Sequence, residues 1–112
     1  MQKVRTVVYY KDYFFNFYEE QSLKVKKKLI WTIDLIEQME QIPKEYFKHI
    51  EGTDGLFEIR VQQGNDIFRI FSFFDEGKLI VVANGFQKKS QKTPKQEIER
   101  ALKIKKEYES EK

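Results

Sequence analysis

Three extended segments follow one another between residues 56 and 83, and their spacing limits the fold more than anything else in the chain. Residues 56–62 alternate: Phe57, Ile59 and Val61 point one way, and Glu58, Arg60 and Gln62 the other. A period of two is the mark of a strand with one buried face. Gly64-Asn65-Asp66 then supplies a turn. Residues 67–74 form a strand apolar on both faces except for Arg69 and Ser72. Asp75-Glu76-Gly77 is a second tight turn, and residues 79–83 are an unbroken apolar run, predicted to be a central strand covered on both sides. Connections this short allow only antiparallel neighbours, so the three segments form a meander.

The flanks complete the outline. Residues 4–9 are β-branched and aromatic and read as a first strand. Asp12 is placed to cap a short aromatic helix over 13–20, and Ser22 to cap a longer one. In the longer helix Val25, Leu29, Ile33, Ile36 and Met39 share one face. Pro43 closes it, and 44–54 is expected to be a loop. A last helix is expected with Thr93 as cap, Pro94 in the first turn and Gln96 as capping-box partner. Ile98, Ala101 and Leu102, with Lys105 or Tyr108, lie on its apolar face, and the polar tail 107–112 is expected to fray. The order β-α-α-β-β-β-α gives a small α+β fold: one domain over residues 1–112, an antiparallel sheet, and helices packed on one face.

A chain of 112 residues with 40% hydrophobic residues and 10 Phe holds enough apolar material for one core. Cysteine is absent, which excludes disulfides and thiolate metal sites. No apolar run approaches the roughly 20 residues of a membrane span, and the first residues show no signal-peptide core. A cytoplasmic location without a membrane partner is expected. The net charge of +3 is unevenly spread. Basic and acidic residues balance from 1 to 54. From 86 to 106, Lys88, Lys89, Lys92, Lys95, Arg100, Lys103, Lys105 and Lys106 face only Glu97 and Glu99. A local basic surplus favours a polyanionic partner, and a solvated helix face explains the charge equally well.

Candidates for chemistry are few. His49 is the one histidine, in the expected loop, and reads as polar surface. Without a second histidine or a cysteine there is no conventional zinc site, and no glycine-rich phosphate loop is present. Asp75 and Glu76 sit in a turn and read as solvated. What remains is cationic. Arg60 lies on a polar strand face, and Arg69 interrupts an apolar strand, where it is costly unless it is paired or faces a polar groove. Adjacent strands bring the two together, and Lys88 and Lys89 follow the third strand. Phe86 and Tyr108 offer aromatic faces for base stacking. The purely structural reading pairs Arg60 and Arg69 with Glu58 or Asp66. The functional reading uses the same cations on a phosphodiester, where an RNA 2′-hydroxyl must be activated and charge on phosphorus stabilised.

Gly55-Leu56-Phe57-Glu58-Ile59-Arg60, Phe68-Arg69-Ile70-Phe71, and the block from Asn84 to Pro94 (Asn-Gly-Phe-Gln-Lys-Lys-Ser-Gln-Lys-Thr-Pro) with Glu97-Ile98-Glu99-Arg100-Ala101 behind it resemble toxins of the RelE/ParE superfamily. The nearest branch is that of the phage-derived, HigB-type toxins. The resemblance covers about residues 46–108, and its most specific part is the block ending in Lys-Thr-Pro. It implies a RelE-like fold and a metal-independent endoribonuclease that cuts messenger RNA on the ribosome without a cofactor. It implies a helix-turn-helix (HigA-like) antitoxin as partner, through which alone operator DNA is touched. The basic residues of the superfamily's site fall here on Arg60, Arg69, Lys88 and Lys89, with Lys92, Lys95, Phe86 and Tyr108 as RNA contacts. Some relatives use a C-terminal histidine or tyrosine for proton transfer; Tyr108 is the only tyrosine after Tyr46. A ParE-like toxin acting on a topoisomerase, and an inactive co-repressor that only binds the antitoxin, are the alternatives.

Overall fold

The meander forms as its pattern requires. In the structure, a computed structural model that describes residues 3–112, the chain runs through β1 (Thr6–Tyr9), α1 (Tyr13–Glu19), α2 (Leu23–Gln38), β2 (Phe47–His49), β3 (Leu56–Gln63), β4 (Asp66–Asp75), β5 (Leu79–Lys88) and α3 (Lys95–Ser110). Strands β3, β4 and β5 pair antiparallel in sequence. β1 adds parallel to β5, and β2 adds antiparallel to β3, giving one sheet of order β1-β5-β4-β3-β2. The sheet is therefore mixed rather than antiparallel throughout. β1 reaches β5 only after the whole chain has passed between them, a long connection of the kind that parallel pairing needs. β2 lies inside the stretch expected to be a loop; three residues are too few for an alternating pattern to show.

The helices divide between the two faces instead of sharing one. Ile59, Val61, Phe68, Ile70, Ile80 and Val82 are buried with Phe14 and Phe17 of α1 and Val25, Leu29, Ile33 and Ile36 of α2. Leu56, Phe71, Phe73, Val81, Ala83 and Phe86 are buried on the other side with Ala101 and Ile104 of α3. The cause lies in β4. Phe68, Ile70, Phe71 and Phe73 alternate to opposite faces and are all at most 1% exposed. Each such side chain contributes about 1.5–3 kcal/mol on burial, so neither face can stay wet.

Helix ends follow the sequence unevenly. Ser22 Oγ accepts from the Val25 N–H at 3.3 Å, as its position suggests. Asp12 occupies the cap position of α1 but makes no side-chain cap bond. For α3 the expected Thr93–Gln96 box does not form. Pro94 keeps an extended ψ of 134° and takes the cap position itself; its carbonyl accepts from the Glu97 and Ile98 N–H groups at 3.0 and 3.3 Å. The tail does not fray at 107. Glu107 accepts from Tyr13 and Lys11, Tyr10 donates to Glu111, and Tyr108 and Lys112 both donate to Asp75. Among the described residues no helix is long and apolar enough to cross a membrane.

Candidate functional site

A single irregularity in β5 decides which side chains meet. Ile70 stands opposite Gly85 and Ser72 opposite Val82, so β5 carries one residue more than β4 over this step. Such a bulge reverses the alternation beyond it. Before the bulge, odd positions Val81 and Ala83 face α3; after it, Phe86 does. The strand also continues past Ala83 to Lys88, so the first half of the basic run is strand and not loop. Lys88 stands opposite Ile67, and Phe86 opposite Arg69. Arg69 in turn stands opposite Arg60, and Lys48 of β2 opposite Glu58. Lys48, Glu58, Arg60, Arg69 and Lys88 therefore share the face on which α3 packs, at the end of the sheet away from β1.

Glu58 sits between the two arginines. Its Oε2 is 3.2 Å from Nε of Arg60 and 3.2 Å from Nε of Arg69. Neither Nε–H points along its contact, so these are charge pairs rather than aligned hydrogen bonds. Arg69 also donates from Nη1 to the Phe68 carbonyl at 3.1 Å. The side chains of Arg69 and Glu58 are 7% and 10% exposed, that of Arg60 30%. Burial, and then Arg60, lower the pKa of Arg69 against the opposing pull of Glu58. Burial, and then Arg69, lower that of Lys88, with Arg60 and Lys48 adding to the effect. One carboxylate thus serves two guanidiniums, and a lysine beside them is pushed toward its neutral form. The structural pairing with Glu58 and an excess of positive charge exist together. An anion placed here relieves the excess.

Residues 16–106 match the model of the family of phage-derived Gp49-like proteins (DUF891). The chain belongs to this family. The match takes in every residue of the basic cluster, and the family is one associated with RelE-like toxins. A search of the curated proteins found no match.

In this Gp49-like chain most of the remaining candidates lie apart from the cluster. Lys89, next in sequence to Lys88, shares with it the wall of an open cleft beside Ile67 and Ser90, and also borders Tyr13, Asn16, Gln21 and Arg100. Lys92, on the run into α3, and Lys95, its first residue, are both exposed, and Lys95 lies 4.0 Å from Glu99. Phe86 is 8% exposed and its ring stacks on Phe71 at 5.5 Å, so it belongs to the core and presents no open face to a base. Tyr108 packs against Phe73 and Tyr10 and donates to Asp75, at the Phe73–Asp75 end of β4 and away from Arg69. His49 is exposed, with Nε2 3.1 Å from the Thr53 carbonyl, in line with polar surface. A second cleft, of about 310 Å³, opens at the β3 edge where Arg60 and Arg69 meet Lys28 of α2 and Tyr46. Lys28, Tyr46 and Lys48 were not among the candidates. The placement of Tyr46 and Lys48 depends on β2, which carries too little pattern to be seen, and Lys28 lies on the visible helix α2 but meets the arginines only through the tertiary packing.

Proposed function

We propose that the protein is the toxin of a type II toxin–antitoxin pair and acts as a metal-independent endoribonuclease on messenger RNA at the ribosome. The observation that carries this reading is the unbalanced cluster: Arg60, Arg69 and Lys88 around one carboxylate on one sheet face. Arg69 and Arg60 hold the non-bridging oxygens of the scissile phosphate, and a guanidinium fork suits that geometry better than an ammonium. The ribose 2′-oxygen attacks phosphorus and the bond to the 5′-oxygen breaks, leaving a 2′,3′-cyclic phosphate and a 5′-hydroxyl. One proton leaves the 2′-hydroxyl and one reaches the 5′-oxygen. Lys88, its ammonium disfavoured by burial and by Arg69, is the group that moves them. Tyr108 has no part in this chemistry, because its hydroxyl is engaged by Asp75. The resemblance of the block ending in Lys-Thr-Pro supports a HigB-type toxin within the family, and a helix-turn-helix antitoxin of opposite charge over the basic face is the fitting inhibitor.

The test is expression without the antitoxin. Translation should stop while DNA synthesis continues, as read by pulse labelling, and messenger RNA should be cut on ribosomes. Arg69→Ala should cleave about a hundredfold more slowly, the usual loss for one oxyanion-stabilising donor, and Arg69→Lys should recover little. A fall in DNA synthesis with translation intact would promote the topoisomerase reading instead.

A further inference from the structure

A nucleic-acid strand needs a surface for its bases as well as for its phosphates, and the two rings expected to supply one are committed elsewhere. Phe86 is stacked in the core, and Tyr108 lies at the far end of β4. Among the lining of the cleft at the β3 edge, one aromatic side chain shares walls with both arginines: Tyr46.

Tyr46 is held firmly. Its N–H donates to the Pro43 carbonyl at 2.9 Å, and its own carbonyl accepts from the Arg60 N–H at 2.8 Å. Arg60 Nη1 reaches the carbonyl of Lys44 at 3.4 Å, tying the same turn to the strand. The ring meets Trp31 edge to face, with centroids 6.1 Å apart and planes at 71°. Trp31 is 48% exposed, a large apolar ring left half in water on an outer helix surface. Lys28 Nζ lies 4.6 Å from the Trp31 ring centre and its side chain also lines the cleft. The walls thus carry Lys28, Arg60 and Arg69 against one carboxylate, Glu45. The volume of about 310 Å³ lies at the small end of the range of about 300–1,000 Å³ for ligand sites, which suits one nucleotide.

We infer that this cleft is the base-binding subsite of the protein, taking a single ribonucleotide unit with its base on Tyr46 and its phosphate toward Arg60 and Arg69. The inference rests on the nuclease reading for the identity of the polymer. The base is placed by a ring that the sheet backbone fixes, and the phosphate by the cluster already described. Base–aromatic stacking accepts any base, so the subsite gives position more than sequence preference.

The chain contains one tryptophan, Trp31, whose ring meets that of Tyr46, so its fluorescence reports changes beside this cleft. Adenosine 5′-monophosphate should quench it saturably, and inorganic phosphate should need at least a tenfold higher concentration. Tyr46→Leu should weaken binding of the nucleotide about tenfold, the usual effect of losing one stacked base, while leaving phosphate binding unchanged. Tyr46→Phe, which keeps the ring, should bind within about twofold of the parent. A photoreactive 5-iodouridine trinucleotide should crosslink the unmodified protein at Tyr46 or Trp31, a readout that needs no variant to fold. Equal responses to phosphate and nucleotide, an unchanged affinity in a folded Tyr46→Leu, or a crosslink mapped elsewhere overturns the subsite and leaves the nuclease reading standing. Nucleotide binding of the expected kind beside intact messenger RNA on ribosomes supports the subsite and rejects the nuclease reading.

Discussion

Replacing Glu58 by Gln separates a structural ion pair from a phosphate site, because the two readings disagree about what restores the variant. Glu58 Oε2 lies 3.2 Å from each Nε of Arg60 and Arg69. At that distance each contact is worth about 5 kcal/mol before desolvation, with an effective dielectric constant of about 20. Desolvation offsets most of it. The Arg60 side is 30% exposed and screened, so it contributes little. The Arg69 side is the costly one, at 7% and 10% exposure. Removing one partner of a buried pair costs about 3–5 kcal/mol. Arg69 keeps its bond to the Phe68 carbonyl, and water has access through Arg60, so the lower end applies. A loss of about 3 kcal/mol at roughly 4 °C per kcal/mol lowers the melting temperature by about 12 °C.

An anion should then replace the missing carboxylate. Phosphate at about a hundred times its dissociation constant returns about 2.7 kcal/mol, nearly the whole loss. Differential scanning fluorimetry in phosphate and in chloride of equal ionic strength measures it. The parent, whose Glu58 already offsets part of the charge, should gain several-fold less from phosphate than the variant. Melting of Glu58→Gln within about 2 °C of the parent would show that the pair carries no stability. Equal phosphate gains in both proteins would refute the idea that the two arginines and Lys88 await an anion.

Three further outcomes are expected. Lys88, its ammonium disfavoured by burial and by Arg69, should react with amine-specific reagents at lower pH than an ordinary exposed lysine, as read by mass spectrometry. Bound phosphate should suppress the reaction, and phosphate affinity should fall as pH rises through the lowered Lys88 range. Gly85→Ala should destabilise the fold by about 1–3 kcal/mol in urea titrations, because a Cβ at Gly85 would come within 2.7 Å of the buried Phe17 ring. Asp75, held low first by Lys112 and then by Tyr108, and Glu107, held low first by Lys11 and then by Tyr13, stabilise the docking of α3. Depressed carboxyl groups give stability that is complete above the ordinary range of about pH 4–4.5 and lost as pH falls below it. The near-UV signal of the surrounding tyrosines should therefore fade on acidification through that window, and Asp75→Asn should reduce the pH dependence.

Much of the sheet was legible because period-two patterns are read directly from side-chain polarity. Phe57, Ile59 and Val61 against Glu58 and Arg60 fixed both the strand and its buried face, and the structure keeps that division. Arg69 stood out because it is a charge among apolar neighbours. The layering was less legible. Alternation shows that both sides of β4 are covered, but not by which helix, and α3 reaches its face through the long run after β5. The bulge left no signal of its own: the apolar run marks the strand only over residues 79–83, and only the pairing of Ile70 with Gly85 and Ser72 with Val82 reveals an extra residue in a continuing strand. Without the bulge, strict alternation would point Phe86 and Lys88 at α1 and α2 and strand Arg69 with Arg60 alone. The same residue puts Lys88 on the face of Arg69 and Arg60, while Lys89 follows just past the end of β5.

The bulge also accounts for a tension in the basic block. A strand that ends in Phe86-Gln87-Lys88-Lys89 has to give its phenylalanine to one face and then find room for a lysine two residues on. With the parity reversed, Phe86 closes the core against Phe71, and Lys88 emerges just past the cover of that ring, beside Arg69. The core thereby borders the site: burial lowers the pKa of both Arg69 and Lys88. Glu58 makes this tolerable in the free protein, as a built-in counter-ion that occupies both arginines at once. Its single carboxylate leaves the cluster with more positive than negative charge, and that residue of charge, held on rigid strands rather than on a mobile loop, is what a phosphate can use.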